Sequence, residues 1–155
     1  MTPAVTAAQR AKIPFRLHEY PHDPAAPSYG LEAADKLGLD PRRVFKTLVA
    51  SLGPKQLAVA IVPVAGELDL KALAAARGAK KAAMADLHEA ERSTGYVAGG
   101  ISPLGQKRRL PTVLDRSALD FPTIYVSAGR RGLEIELAAE DLVKLCAAEV
   151  AVIGR

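Results

Sequence analysis

The chain has 155 residues, of which 49% are hydrophobic and 25% are charged, the proportions of an ordinary globular protein. This length fits one domain, residues 1–155, with a core large enough to be stable without disulfides. The single cysteine, Cys146, excludes an internal disulfide and favours a reducing compartment. The net charge of +4 is compatible with an RNA or phosphate partner. Because the sequence has no apolar run of ~20 residues and no signal peptide, we expect a cytoplasmic protein that does not enter a membrane.

The first half of the chain predicts two helices and three strands. Thr2 can cap a helix over residues 3–12, and Ser28 can cap a shorter helix that ends at Gly38. Alternation of apolar and polar residues predicts a strand over 15–20, followed by a loop over 21–27 with three prolines. Residues 44–51 and 57–62 form the clearest predicted hairpin, because Gly53 and Pro54 turn the chain between them.

The second half alternates short helices with short strands. Asp69 and Asp86 can cap helices over 70–77 and 86–95, and residues 139–148 form a third, amphipathic helix. Strands are predicted over 112–115, 123–127, 133–137 and 150–153, with a glycine-bearing turn over 128–132. This order of elements predicts a single mixed α/β (or α+β) domain around a mixed, partly closed sheet.

Residues 93–109, with the sequence STGYVAGGISPLGQKRR, combine features that packing alone rarely requires. Gly99 and Gly100 allow a close approach of backbone N–H groups, and a turn follows them at Ser102. Three cationic side chains come next, at 107–109. Backbone donors beside cationic side chains suit a carbonyl oxygen or a phosphate. The alternative interpretation is a glycine-rich loop with a solvated basic end.

Lys46 is the strongest single candidate for chemistry, because it lies within an otherwise apolar strand. By alternation it shares a face with Val44, Leu48 and Ala50, and a lysine is seldom buried there without a partner. It either guards a sheet edge against aggregation or points into a pocket. Ser127, at the end of another strand, is either a site residue or a turn former.

Several catalytic patterns are missing from the sequence. The three histidines and Cys146 form no metal-binding pattern, and no serine has a histidine near it in sequence. There is no phosphate-binding P-loop and no dinucleotide fingerprint. We therefore expect no metal and no cofactor, and the sequence shows no obvious protein nucleophile.

The chain resembles the YbaK/EbsC-type aminoacyl-tRNA deacylases, relatives of the editing domain inserted in bacterial prolyl-tRNA synthetase. The resemblance covers nearly the whole chain in order and is carried by Tyr20 and by residues 44–47, 63–66, 93–96, 99–107 and 127–133. It implies a mixed α/β fold with a central, barrel-like β-sheet surrounded by helices. It also implies a small pocket for the aminoacyl end of tRNA, most similar to the branch that clears cysteine mischarged onto proline tRNA.

The resemblance assigns roles residue by residue. Lys46 matches the family's essential lysine, and Gly100 and Ile101 would offer backbone N–H groups to the developing oxyanion. The implied substrate-binding residues are Tyr20, Gly99, Ser102, Ser127, Gly129 and Glu134. Glu134 departs from the family pattern, in which this position is commonly aspartate. The resemblance also implies that the substrate's own thiol attacks the ester carbonyl, so that the protein supplies positioning and charge stabilisation.

The predicted partners are a mischarged tRNA and prolyl-tRNA synthetase. We expect weak, salt-sensitive contact with tRNA through the basic residues Lys80, Lys81, Lys107, Arg108, Arg109, Arg130 and Arg131. Three alternatives stay open: a deacylase that uses water and selects alanine by size, a non-catalytic module that binds tRNA or a synthetase, and a structural protein in which Lys46 only guards an edge.

Overall fold

The computed structural model describes residues 1–26 and 28–155; Pro27, at the end of the predicted loop 21–27, lies outside the described residues. The described residues form five α-helices and eight β-strands. In order they are α1 (Pro3–Ala11), β1 (Arg16–Glu19), α2 (Tyr29–Leu37), β2 (Phe45–Gly53), β3 (Gln56–Pro63), α3 (Leu70–Ala76), β4 (Ala83–Met84), α4 (Leu87–Thr94), β5 (Thr112–Asp115), β6 (Ile124–Arg130), β7 (Leu133–Leu137), α5 (Ala139–Cys146) and β8 (Glu149–Ala151), with a 3-10 helix at Arg116–Asp120. The predicted mixed α/β fold is confirmed.

Polar side chains begin three of the helices as the sequence indicates. Thr2, Ser28 and Asp69 accept hydrogen bonds from backbone N–H groups three residues ahead, at 3.2, 3.3 and 3.1 Å. Asp86 occupies the N-cap position of α4, but its side chain accepts no capping hydrogen bond. The prediction of a capped start for α4 is therefore right in position and wrong in mechanism.

The strands form two sheets. The smaller sheet is antiparallel, in the order β1-β7-β6, and the larger has the order β4-β2-β3-β5-β8 with parallel pairing at β3–β5 and β5–β8. Among the described residues, an isolated bridge between Val44 and Tyr125 is the one strand pairing that joins the two sheets. The sheets therefore curve around a shared interior without closing into one barrel.

The structure differs from the predicted elements most clearly at the glycine-bearing turn. Strand β6 runs to Arg130, three residues beyond the predicted end at Ser127, because its pairing with β7 shifts register between these two residues. Gly129, with φ of 109°, takes the backbone conformation that this bulge requires. The actual turn is shorter than predicted and lies at Arg131 and Gly132.

The largest apolar core lies between the sheets and beneath α1, α4 and α5, with Phe45, Ile61 and Ile135 among its fully buried members. Cys146 packs against this core, and its thiol lies 3.3 Å from the carbonyl oxygen of Pro103. A second cluster lies under α3, and a third, which includes Tyr20 and Val44, lies under α2. Within residues 1–26 and 28–155, no helix is long and apolar enough to cross a membrane.

Candidate functional site

A cavity of about 410 Å³ opens at the gap between the two sheets. One edge of β2 pairs with different segments at its two ends. Next to its start, Val44 forms a bridge to β6, and further along, the carbonyl of Val49 accepts a hydrogen bond of 3.0 Å from the N–H of Ala85, next to β4. Between these two points, residues 45–48 have no strand neighbour on that side among the described residues. All four of them line the cavity. The fold therefore leaves a stretch of strand edge open inside a concave site.

Lys46 lies in the middle of this open stretch and is half-buried. It forms no ion pair with any described residue. Its neighbour Thr47 carries the one side-chain polar atom, Oγ1, that is buried without a hydrogen-bond partner in the described part of the chain. Because successive residues of a strand point to opposite faces and the Thr47 hydroxyl is closed to solvent, the Lys46 ammonium is the group of this pair that is available to a polar ligand. Sequence reasoning missed Thr47, because a threonine in a strand is usually explained by β-propensity alone.

The opposite wall comes from the smaller sheet. Glu134 on β7 lies directly across from Ser127 on β6, and both line the cavity together with Tyr20. The Glu134 side chain has no ion-pair or hydrogen-bond partner among the described residues, and its burial raises its pKa to about 8. Burial also raises the pKa of Tyr20, and the nearby Glu134 carboxylate adds to that shift. At neutral pH this wall therefore presents a protonated carboxyl group and a phenol, which are both hydrogen-bond donors.

The glycine loop supplies free backbone donors. Gly99 and Ile101 line the cavity, and the N–H groups of both have no hydrogen-bond acceptor among the described residues. The N–H of Gly100, by contrast, donates to the carbonyl of Val97 at 2.9 Å and so closes a turn. The expectation that Gly100 and Ile101 both offer N–H groups to the substrate is therefore corrected: of these two, the geometry leaves only that of Ile101 free.

Gly100 instead allows a close backbone contact. A Cβ atom at this position would lie 2.7 Å from the Cα of Arg130 and 3.0 Å from the backbone N of Arg131. We expect Gly100→Ala to reduce the free energy of unfolding by about 1–3 kcal/mol, because backbone atoms must shift to relieve the overlap. Gly78→Ala gives the separate cost of a positive φ, because φ there is 66° while a Cβ meets nothing within 4 Å. Urea unfolding measures both variants, and a loss below about 0.5 kcal/mol for Gly100→Ala would contradict the steric explanation.

Two further predicted site residues do not line the cavity. Ser102 is fully buried, and its hydroxyl accepts a hydrogen bond from the N–H of Leu104 at 3.2 Å. A Cβ at Gly129 would lie 2.9 Å from both the Thr2 and the Tyr96 side chains. In this structure Ser102 stabilises the turn after the glycine loop and Gly129 allows the bulge in β6, because their contacts lie within the protein rather than at the cavity.

A network of polar contacts around Arg131, which the sequence does not predict, stabilises the mouth of the cavity. Arg131 pairs with the buried carboxylate of Glu32 on α2 at 3.2 Å and donates to the carbonyl oxygen of Asp23 at 2.6 Å. Its guanidinium also lies over the Tyr29 ring, 4.2 Å from the centroid, and that ring packs against Gly99. Arg131 therefore ties α2 to the β6–β7 turn, and its charge is already compensated. An arginine in a turn gives no sequence signal of such a partner 99 residues away.

The other predicted tRNA contacts are exposed. Lys80 and Lys81 precede β4 in the chain, and Lys107, Arg108 and Arg109 follow the glycine loop. Arg108 and Arg109 border a second cavity of about 240 Å³, next to Cys146. Arg130 is exposed and lies 3.5 Å from Glu19. None of these basic residues lines the main cavity, and their contact with tRNA stays a prediction.

The residues lining the main cavity include hydroxyl groups but no cysteine and no histidine. Burial raises the pKa of the Cys146 thiol to about 12, and this residue borders the other cavity. Among residues 1–26 and 28–155, no group of three His, Cys, Asp or Glu side chains is placed to hold a metal ion. The main cavity therefore offers charge and hydrogen-bond donors without a nucleophile–base pair.

Comparison with known proteins gives consistent results at the level of sequence and fold. A family model described as the aminoacyl-tRNA editing domain matches residues 23–145. A curated protein of Enterococcus faecalis, named as a candidate Cys-tRNA(Pro)/Cys-tRNA(Cys) deacylase, EbsC, is 40% identical over 144 residues, which are 93% of this chain and 87% of that protein. A solved structure named as a candidate trans-editing enzyme for prolyl tRNA synthetase superposes with a TM-score of 0.85 at 24% identity, covering 99% of this chain and 95% of the other. A hypothetical protein of known structure superposes with a TM-score of 0.86 at 23% identity, with 99% of both chains covered. At these identities the two solved structures are similar in fold.

Proposed function

Because this chain belongs to the aminoacyl-tRNA editing domain family, we propose that it is a deacylase that releases cysteine from mischarged Cys-tRNA(Pro). Membership confirms the resemblance that the motifs indicated. The choice of cysteine is supported by the name of the 40% identical relative, and Cys-tRNA(Cys) is a further substrate by the same argument.

The observation that carries the mechanism is a cavity rich in charge and donors that has no cysteine or histidine in its lining. Cysteine esterified to tRNA brings its own nucleophile. Its thiol loses a proton and attacks the ester carbonyl, the new C–S bond closes a cyclic thioester, and the C–O bond to the ribose breaks. The ribose oxygen takes up a proton, and water then hydrolyses the thioester. The protein holds the reacting atoms together and stabilises the charge that develops on the carbonyl oxygen.

Three groups fit the positions that this reaction needs. The Lys46 ammonium and the free N–H of Ile101 are the candidates for stabilising the oxyanion. Protonated Glu134, with its pKa of about 8, is the candidate donor toward the ribose oxygen that leaves. Tyr20 and Ser127 line the same wall and provide further hydrogen bonds to the aminoacyl group.

Selection of tRNA(Pro) is the part of the function that we assign to a partner. A domain of 155 residues has little surface for reading a tRNA, and its basic residues are spread along the chain and not gathered in one element. We propose that prolyl-tRNA synthetase, in the cytoplasm, delivers the mischarged tRNA. Direct contact through exposed lysine and arginine would then be weak and would decrease with added salt.

The decisive test compares three tRNA(Pro) substrates charged with cysteine, alanine or α-aminobutyrate, which replaces the thiol of cysteine with a methyl group. We expect cysteine to be released more than about 200-fold faster than α-aminobutyrate, because a pocket alone distinguishes one small group by about 10- to 200-fold. Equal release of cysteine and α-aminobutyrate would replace the thiol mechanism with hydrolysis by water. If no amino acid is released while tRNA still binds, the protein is a binding module.

A further inference from the structure

Exposed apolar side chains gather at the mouth of the cavity. Nine large hydrophobic residues are exposed in the described part of the chain, and three of them, Tyr29, Met84 and Leu87, line this cavity. Met84 is 50% exposed and Leu87 is 56% exposed. Single exposed hydrophobic residues are common and need no explanation, but a cluster at the opening of a site indicates a binding surface.

Of these three residues, Met84 and Leu87 are free to receive a ligand. The Tyr29 ring is already in contact with the Arg131 guanidinium and with Gly99. Met84 ends β4 and Leu87 begins α4, so both are held on regular elements on either side of Ala85, which is fixed to β2 by its hydrogen bond to Val49. The backbone thus fixes where Met84 and Leu87 lie relative to each other, so that their side chains can together contact one face of a flat, rigid partner.

We propose that Met84 and Leu87 form the surface against which the terminal adenine of the tRNA acceptor end packs. This inference rests on the proposed function. If the aminoacyl group lies in the cavity, its ester bond fixes the ribose at the mouth, and the base carried by that ribose must lie immediately outside. The apolar pair is the uncompensated surface there, and apolar contact with the face of a base does not depend on its sequence.

The charges near this pair agree with a nucleotide as the occupant. Lys80 and Lys81 are exposed just before β4 and can meet the phosphates that precede the terminal nucleoside. Asp86, which is also exposed, lies between Met84 and Leu87 in sequence. Because a nucleobase carries no charge, this carboxylate does not oppose its binding, whereas it would oppose a phosphate at the same place.

The test uses tRNA(Pro) in which 2-aminopurine replaces the terminal adenine, since stacking on the neighbouring base quenches the fluorescence of this base. Aliphatic side chains do not quench it, so we expect wild-type protein to raise the fluorescence when it draws the base onto Met84 and Leu87, and the Met84→Ala/Leu87→Ala double variant not to. On Cys-tRNA(Pro), the double variant should raise KM about tenfold with kcat within about twofold of wild type, because a ground-state contact has been removed. Leu119→Ala/Val152→Ala is the matched control: both residues are exposed hydrophobics outside the cavity lining, and we expect wild-type behaviour.

A second variant tests the same surface by gain of function. The chain contains no tryptophan, so Leu87→Trp introduces a single fluorescent reporter. An aromatic ring stacks on a base better than leucine does, so KM should decrease about threefold and the tryptophan emission should decrease when uncharged tRNA(Pro) binds.

The outcomes separate the two proposals. Failure of the wild-type protein to release cysteine would reject the proposed function itself. Normal release with an unchanged KM in the double variant, and no rise in 2-aminopurine fluorescence on binding wild-type protein, would reject only the adenine surface. The double variant could keep its KM for Cys-tRNA(Pro) when no synthetase is present and yet lose binding to prolyl-tRNA synthetase. In that case the surface binds a protein partner and this inference is wrong.

Discussion

Lys46→Ala is expected to slow cysteine release by about 100- to 1,000-fold, the cost typical of removing one group that stabilises an oxyanion. Lys46 is the cation inside the cavity and has no ion-pair partner among the described residues, so its charge is available to the substrate. Single-turnover release of cysteine from Cys-tRNA(Pro) measures the effect without interference from product release. Lys71→Ala, at an exposed position on α3, is the control and should behave as wild type.

The same variant separates the possible roles of this lysine. If the ammonium stabilises the oxyanion, kcat decreases and KM changes little, whereas a lysine that only holds a phosphate mainly raises KM. Lys46→Arg keeps the charge with a different shape and should retain part of the activity. If Lys46 only guards the open edge of β2, the variant should aggregate faster, as light scattering would show, while its soluble fraction keeps a rate within threefold of wild type. That result would contradict a catalytic role.

The sequence predicts the elements well where a periodic pattern is long enough. The β2–β3 hairpin and the capped starts of α1, α2 and α3 follow from local rules, and the structure confirms them. Strand β4 has only two residues, which are too few to show an alternation of apolar and polar side chains, so the sequence does not predict it. Yet β4 matters for the site, because its end and the open stretch of β2 together define one side of the cavity.

Side-chain environments are harder to predict than elements, because they depend on contacts between distant segments. The sequence identifies Lys46 as unusual, since a lysine in an apolar strand contradicts its surroundings. It gives no sign that Arg131 is paired with Glu32, or that the hydroxyl of Thr47 is buried without a partner. It also places Gly100 at the substrate by motif, whereas the structure shows that its N–H closes a turn. Motifs therefore locate the site, and only the three-dimensional arrangement decides which groups are free.

Glu134→Gln should change the dependence of stability on pH. The pKa of Glu134 in the folded protein is about 8, against an ordinary value of 4.5, because burial disfavours its charged form. The raised pKa therefore contributes to the free energy of unfolding. This contribution is complete at pH values below the ordinary pKa of 4.5 and is lost as the pH rises through 8. Glutamine cannot ionise, so the variant should gain stability relative to wild type between pH 5 and 8. At about 1.4 kcal/mol per pH unit, the relative gain is on the order of 4 kcal/mol. Urea unfolding across this pH range measures it.

Glu136→Gln is a matched control with the opposite sign. Glu136 lies on the same strand two residues further on, and although burial raises its pKa, hydrogen bonds from Thr123 and His18 outweigh that effect and lower it. A lowered pKa stabilises the folded state above the ordinary value and loses this contribution as pH decreases. Glu136→Gln should therefore cost stability at neutral pH and little at acid pH. Parallel curves for the two variants would contradict the burial argument for Glu134.

The pH dependence of activity then tests whether the buried proton of Glu134 is used in the reaction. Ionisation of the substrate thiol, with an ordinary pKa of about 8.5, increases the rate as pH rises. Loss of the Glu134 proton near pH 8 removes a donor beside the leaving ribose oxygen, so kcat for the wild type should pass through a maximum near that pH. Glutamine can donate a hydrogen bond to the leaving oxygen but cannot transfer a proton to it, so Glu134→Gln should lower kcat at pH 7 by about 100-fold, and its remaining rate should continue to rise above pH 8. If the variant shows the same maximum as the wild type, another group controls the alkaline decrease and Glu134 serves only to shape the wall of the cavity.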